Sequence, residues 1–300
     1  MKTMTDRKHR RKAHDTSRNS AHRGHPLQRP LSILPSLFTI GNIFCAYYSV
    51  MATLNGNYDH AAIAIGVGYV LDGLDGRVAR LTGTSTEFGA QLDSLADVLT
   101  FGIAPALLAF SWGVDLDTSN TPLPAGILLN PVEQHVRSGG WIATFAFVIC
   151  GALRLARFNV QSLKPPDVGS KRYFVGLPIP AGAGLIASIV HFWKTPIATV
   201  GSALLWSLLI GVTAFLMIST VRYHNFKELG IFSRKPRVTL VATALMIGLI
   251  FRYSEIMLLL LAVVYVASGP VGWLVRSVRK LPIHIPATAE HPPMESRREP

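Results

Sequence analysis

Between Leu71 and Asp97, four carboxylates sit in a background otherwise apolar enough for a bilayer. The run reads Asp72-Gly73-Leu74-Asp75-Gly76-Arg77-Val78-Ala79-Arg80, and eight residues later come Gly89, Asp93 and Asp97. Ionisable groups in such segments are expensive to hold and mark functional positions. On a helix, Asp72 and Asp75 share a face that Gly76, Ala79 and Arg80 continue. Asp93 and Asp97 share another, with Gly89 one turn earlier. Two facing helices would bring all four carboxylates to one point. Crowded carboxylates repel one another and need a counter-ion, for which a hard divalent cation with oxygen ligands is the natural choice. With no His or Cys in the set, Mg²⁺ or Mn²⁺ is expected before Zn²⁺. A plainer reading is a helix pair held by ion pairs to Arg77 and Arg80. It leaves two carboxylates unpaired in an apolar setting.

The elements that must carry these residues are membrane helices. The chain has 300 residues, is 49% hydrophobic and only 15% charged, with a mean hydropathy of +0.34. That is too apolar for an ordinary soluble enzyme. Apolar segments near 33–54, 60–81, 91–113, 141–160, 175–193, 198–220, 237–252 and 255–276 are each about long enough to cross a bilayer core. The seventh is short and is followed at once by Arg252. None alternates as a strand does, so the expected fold is an all-α, polytopic transmembrane bundle of about eight spans.

Charge sets the expected orientation. Of 29 Lys and Arg residues, eight spans with both termini on one side leave only Arg137, Lys194 and Arg252 opposite. This positive-inside bias places both termini and the helix 2–3 turn in the cytoplasm. The net charge of +12 then reflects loops facing an anionic leaflet, and no nucleic-acid partner is expected. Residues 1–30, with the cluster Lys8, Arg10, Arg11 and Lys12, read as a disordered cytoplasmic tail. Residues 31–276 read as the transmembrane catalytic domain and 277–300 as a flexible, Pro-rich cytoplasmic tail. The first apolar run starts past residue 30 and continues as a full span, so a span is expected rather than a cleaved signal. Segment 114–140, with Asp115, Asp117, Pro122, Pro124 and Pro131, reads as the one long external loop. Cys45 and Cys150 fall in spans as small packing residues. His191 and His224, near helix ends, are expected at the interface.

The spacing D-x2-D-G-x2-A-R-x8-G-x3-D-x3-D resembles the signature of the CDP-alcohol phosphotransferases. Asp72, Asp75, Gly76, Ala79, Arg80, Gly89, Asp93 and Asp97 fill every position of it. The opening of the first span, Leu34-Pro35-Ser36-Leu37-Phe38-Thr39-Ile40-Gly41-Asn42, also resembles that family, in which the Asn lies near the nucleotide phosphates. Taken by itself, Asn42 suits an interhelical hydrogen bond equally well. Further blocks run Phe88–Asp97, Phe101–Ala106, Gly151–Asn159, Phe174–Ala181 and Leu216–Tyr223, with Phe226-Lys227 beyond. Together they resemble the membrane-integrated phosphatidylserine synthases, in patches from residue 32 to 275.

The later blocks have a physical reading too. Arg154 and Arg157 share a helix face, with Asn159 just beyond. Such a fork suits a phosphate or a substrate carboxylate, or else two snorkelling anchors. Lys171 and Arg172 read as loop or headgroup charges. Gly176, Pro178 and Pro180 open the fifth helix, and Gly182 and Gly184 allow close helix packing.

The resemblance implies a phosphatidyl transfer from CDP-diacylglycerol to L-serine, giving phosphatidylserine and CMP. It implies two Mg²⁺ or Mn²⁺ ions on Asp72, Asp75, Asp93 and Asp97, with Asp97 also the general base. It implies CDP binding by Asn42, Gly76, Ala79 and Arg80, and an acceptor or phosphate role for Arg154, Arg157 and Asn159. The expected place is a bacterial inner membrane, active site toward the cytoplasm, with a homodimer left open. Another acceptor (glycerol 3-phosphate, an inositol phosphate or choline) fits the same signature. A transporter or cation channel also carries carboxylates in spans, but spreads them along a pathway over several helices.

Overall fold

The computed structural model describes residues 33–83, 86–115, 131–162, 174–223 and 236–279. The expected tail 1–30, most of the tail 277–300, and the positions Asp117, Pro122, Pro124, Lys171, Arg172, His224, Phe226 and Lys227 lie outside them. The helices are α1 (Ile33–Leu54), α2 (Tyr58–Thr82), α3 (Glu87–Asp97), α4 (Ala104–Gly113), α5 (Pro131–Ser162), α6 (Ile179–Trp193), α7 (Val200–Ile218), α8 (Pro236–Arg252) and α9 (Ser254–Arg279). A π-helical stretch, Val98–Ile103, joins α3 to α4 without a break. The described residues form a polytopic helical bundle, of the all-α class but for one two-residue strand pair. Five described helical stretches are long and apolar enough to cross a membrane: Ser36–Leu54, Glu87–Gly113, Pro131–Gln161, Val200–Ile218 and Ser254–Val275. Ile179–Trp193 and Val241–Arg252 are shorter apolar helices. α2 is not among these; it carries Asp72, Asp75, Arg77 and Arg80 along its second half.

Three expectations are corrected. The external segment 114–140 is not wholly a loop, because α5 starts at Pro131. Proline suits the first turn of a helix, where its missing N–H has no helical partner to lose, and Glu133 there favours the helix dipole. Arg137 on this added turn pairs with Asp115 at 3.4 Å. The expected span 175–193 begins as a helix only at Ile179. Phe174–Val175 instead pairs antiparallel with Arg222–Tyr223, the one strand ladder among the described residues. Gly176 turns the chain at φ 85°, and its N–H bonds to the Val221 carbonyl at 2.9 Å. Third, α3 begins at Glu87 rather than near 91 because Thr86 caps it, accepting from the Gly89 N–H at 3.0 Å.

α2 packs chiefly on α1 and α6, α5 on α7, and α9 on α6. Small residues set these approaches. A Cβ on Gly182 would strike Met217 and come within 3.2 Å of Phe147, so Gly182 does serve close packing. Gly184 does not, since a Cβ there meets nothing within 4 Å. At the end of the bundle away from the carboxylates, His191 is more than an interfacial side chain. It is buried, with Nδ1 2.5 Å from Asp59 Oδ1 and Nε2 3.0 Å from Ser254 Oγ. Lys194 pairs with Glu255 beside it. These contacts tie α2, α6 and α9 together.

Gly176→Ala tests the turn before α6. A left-handed backbone costs an L-residue about 1–2 kcal/mol, and the new Cβ would collide with the Met217 carbonyl oxygen. The thermal midpoint in detergent should fall by about 4 °C or more, whereas Gly184→Ala, in open space inside a helix, should leave it unchanged or raise it.

Candidate active site

Two short caps aim the carboxylates at each other. α2 ends on Gly83, left-handed at φ 63°, whose N–H bonds back to the Ala79 carbonyl. α3 then starts on the Thr86 cap. The turn thus folds the end of α2 onto the beginning of α3. Oxygen atoms of Asp72, Asp75 and Asp93 all lie within 4.8 Å of one another. Thr39 Oγ1 of α1 donates to Asp75 Oδ2 at 3.2 Å, so α1 backs the buried Asp75. Asp97 stands beside Asp72, close enough for the two carboxyls to share a hydrogen bond. It is not part of the trio.

The site fits a divalent cation on three observations. Its donors are hard carboxylate oxygens. Asp93 Oδ1 and Asp97 Oδ1 are buried without a hydrogen-bond partner. Among the described residues no Lys or Arg forms an ion pair with any of the four. Arg77 and Arg80 are both exposed, so the alternative of a merely salt-bridged helix pair fails. Like charges converging without a protein counter-charge would be strongly unfavourable unless a cation joins them or protons neutralise them.

The helix face beside the trio is open. A Cβ on Gly73 or Gly76 would meet nothing within 4 Å. Ala79 is half-buried and Arg80 exposed. The Asn42 side chain is wholly buried, and neither Nδ2 nor Oδ1 has a hydrogen-bond partner among the described residues. The interhelical bond is made by its backbone instead, which accepts from Thr100 Oγ1 at 3.2 Å. Gly68 permits this junction, since a Cβ there would come within 2.6 Å of Thr100 Cγ2 and 2.9 Å of Asn42 Oδ1. The π-helical turn therefore sits directly against α1 and α2. Such turns occur often at functional sites, where one extra residue re-aims the side chains that follow.

The expected arginine fork is divided. Arg154 is half-buried, with its Nε buried and partnerless, while Arg157 is exposed. Asn159 Nδ2 donates to Ser94 Oγ at 2.9 Å, one residue from Asp93. Asn159 thus braces α3 from α5. Sequence reasoning missed Thr39, Ser94 and Thr100. Thr39 had a signal, a hydroxyl in an apolar span one turn before Asn42. The other two had only their neighbourhood to the carboxylates.

Comparison with known proteins agrees with this geometry. A model of the CDP-alcohol phosphatidyltransferase family matches residues 32–217. The CDP-diacylglycerol–serine O-phosphatidyltransferase of Helicobacter pylori is 36% identical over 205 residues, which is 66% of this chain and 75% of that protein. The Bacillus subtilis protein of the same name is 34% identical over 201 residues, 66% of this chain and 93% of its own length. The archaetidylserine synthase of Methanothermobacter thermautotrophicus is 35% identical over 199 residues, covering 66% and 72%. The matched stretch takes in α1 and its hold on Asp75, the whole carboxylate-bearing helix pair and the helices packed around it, and the chain belongs to the CDP-alcohol phosphatidyltransferase family.

Proposed function

We propose that this integral membrane protein transfers the phosphatidyl group of CDP-diacylglycerol to the hydroxyl of L-serine, releasing CMP. The observation that carries the chemistry is the convergence of Asp72, Asp75 and Asp93 with no Lys or Arg among the described residues paired to them. Serine as acceptor is supported by the names of the Helicobacter, Bacillus and other relatives. The family uses divalent metals, and we assign Mg²⁺ or Mn²⁺, two ions, to the carboxylates. When bound, the ions neutralise the diphosphate and stabilise charge on the leaving CMP.

The residues divide the remaining work. Asp72, Asp75 and Asp93 hold the cations, and Thr39 keeps Asp75 in place. Asp97, outside the trio, takes the serine hydroxyl proton, although it also adds negative charge to the cation site. The serine oxygen then attacks the β-phosphorus in line. A P–O bond to serine forms as the P–O bond to CMP breaks, and the proton leaves on Asp97. No Ser or Cys of the signature face is needed as a nucleophile. The open face at Gly76 and Ala79 takes the cytidine side, and exposed Arg80 meets the diphosphate. Asn42, wholly buried, supports that face from behind, its backbone carbonyl holding the π-helical turn through Thr100. Asn159 supports α3 through Ser94. Lipid chains remain in the bilayer, and the α2–α3 turn opens to the cytoplasmic side of the inner membrane, where serine is available.

Three outcomes check this reading. Purified protein should lose CMP release on rigorous chelation and regain it with Mg²⁺ or Mn²⁺; full turnover after chelation sinks the carboxylate–metal assignment. Asp97→Asn should lower kcat about 10²–10⁴-fold while CDP-diacylglycerol binding, read by titration, persists; parallel loss of binding would make Asp97 chiefly a ligand. In an acceptor panel read by lipid mass spectrometry, L-serine should outrun glycerol 3-phosphate, inositol phosphate and choline, and a different leading acceptor would overturn the serine assignment.

A further inference from the structure

We propose that the end of the bundle away from the carboxylates carries a second catalytic site, a Ser254–His191–Asp59 triad that cleaves carboxylic esters of membrane lipids. It uses none of the residues assigned to phosphatidyl transfer. Asp59 and Asp72 lie about 20 Å apart along α2, so the two sites are separate and their tests are independent.

Three side chains from three helices connect in the order that an activated hydroxyl needs. His191 Nδ1 lies 2.5 Å from Asp59 Oδ1, and His191 Nε2 lies 3.0 Å from Ser254 Oγ. An ionised carboxylate can only accept, so Nδ1 carries the ring proton. Nε2 of the neutral ring is then an acceptor, and the Ser254 hydroxyl donates to it. A base oriented by a carboxylate thus faces a nucleophile within hydrogen-bond reach. The helix ends suit these roles. His191 sits in the last turn of α6, where the helix dipole favours an imidazolium. Ser254 opens α9, in which Met257 bonds back to the Tyr253 carbonyl at 3.0 Å. The N–H groups of Glu255 and Ile256 precede that bond and so lie outside the helix ladder, where they favour negative charge developing beside Ser254. The charge of Glu255 would oppose this, and Lys194 pairs with it.

The surroundings point to the substrate class. The side chains of His191 and Asp59 keep 11% and 31% of their exposure, and Ser254 is half-buried, so the triad lies at the surface rather than sealed in the core. Trp193, Tyr253 and Ile256, close to it in the chain, are exposed apolar side chains. Aromatic residues at helix ends sit at the headgroup level of a bilayer, the depth at which glycerolipid ester carbonyls lie. In the reaction, Ser254 Oγ bonds to the ester carbonyl carbon, its proton passes to His191 Nε2, and the carbonyl oxygen takes the electron pair. Collapse breaks the bond to the alcohol, which leaves with the Nε2 proton. Water then attacks the acyl-Ser254, giving one proton to Nε2, and the fatty acid leaves as that proton returns to Ser254 Oγ. Asp59 is the positioning residue, holding the ring tautomer and stabilising the imidazolium.

The test uses full-length purified protein in detergent, a fluorophosphonate probe and p-nitrophenyl butyrate. The probe should form an adduct that peptide mass spectrometry maps to Ser254, and the ester should be hydrolysed. Ser254→Ala should abolish both while CMP release with L-serine, read on the same sample, stays at the parent level and shows that the variant is folded. His191→Gln, which removes the base and keeps a hydrogen-bonding side chain, should give the same loss and serves where Ser254→Ala fails to fold. Asp59→Asn, which reverses the tautomer, should slow labelling about 10²–10⁴-fold. No adduct on Ser254 in the parent overturns the proposal and leaves the cluster as a tether of α2, α6 and α9. Hydrolysis that survives in Ser254→Ala overturns it by assigning the turnover to another nucleophile. Labelling of Asp59→Asn at the parent rate overturns it too, since the hydroxyl would then react without the triad.

Discussion

Uncompensated negative charge inside an apolar bundle is the constraint around which this molecule is organised. Asp72, Asp75 and Asp93 converge, Asp97 stands beside them, and no described Lys or Arg pairs with any of the four. The protein must hold them together against their repulsion, with enough rigidity that a cation finds them already placed. That explains why the charge is confined to one pair of consecutive helices, α2 and α3. It also explains the surrounding reinforcement: Thr39 on Asp75, Asn159 on Ser94, and Thr100 on the Asn42 backbone. Two of these supports involve α1, through Thr39 and the Asn42 backbone, and the third comes from α5.

The rest of the bundle reads as the means of fixing that helix pair. In a membrane the hydrophobic effect contributes little between helices, and close contact must come from small residues and polar links. Gly68, Gly113, Gly140, Gly151 and Gly182 each sit where a side chain would strike a neighbouring helix. The Asp59–His191–Ser254 cluster and the Lys194–Glu255 pair close the opposite end. The π-helical turn at Val98–Ile103 follows Asp97 directly. It carries Thr100 to α1, so the re-aimed turn locks onto the same helix that backs Asp75. Rigidity at both ends leaves the open helix face at Gly73 and Gly76 as the accessible side of the site.

Where the sequence reading and the structure part, the cause is local chemistry that hydropathy does not carry. Pro131, grouped with a Pro-rich loop, instead opens α5, because proline is compatible with a first helical turn. Phe174 and Val175 are apolar enough to join a span, yet Gly176 bends the chain so that they pair with Arg222 and Tyr223. Gly182 and Gly184 are indistinguishable by spacing, but only Gly182 meets another helix. Arg154 and Arg157 share a helix face at their spacing, yet one is half-buried and the other exposed, because the neighbouring helices cover only part of that face.

By itself the sequence determined the class of molecule and the chemistry at its centre. Apolar segment length and sparse charge imply membrane helices. Four carboxylates at i, i+3 and i, i+4 spacing on adjacent helices imply a cation site, and their eight-position pattern carries the family. These features are local or near-local, so a linear reading reaches them. Tertiary structure decided which of the four oxygens meet. It decided that the Asn42 side chain is buried without a hydrogen-bond partner among the described residues, and that Tyr223, Tyr265 and Gly269 fit together. Those outcomes depend on contacts between helices far apart in the chain. Packing selects them by shape and by the need to satisfy buried polar groups, and neither requirement is written in residue spacing.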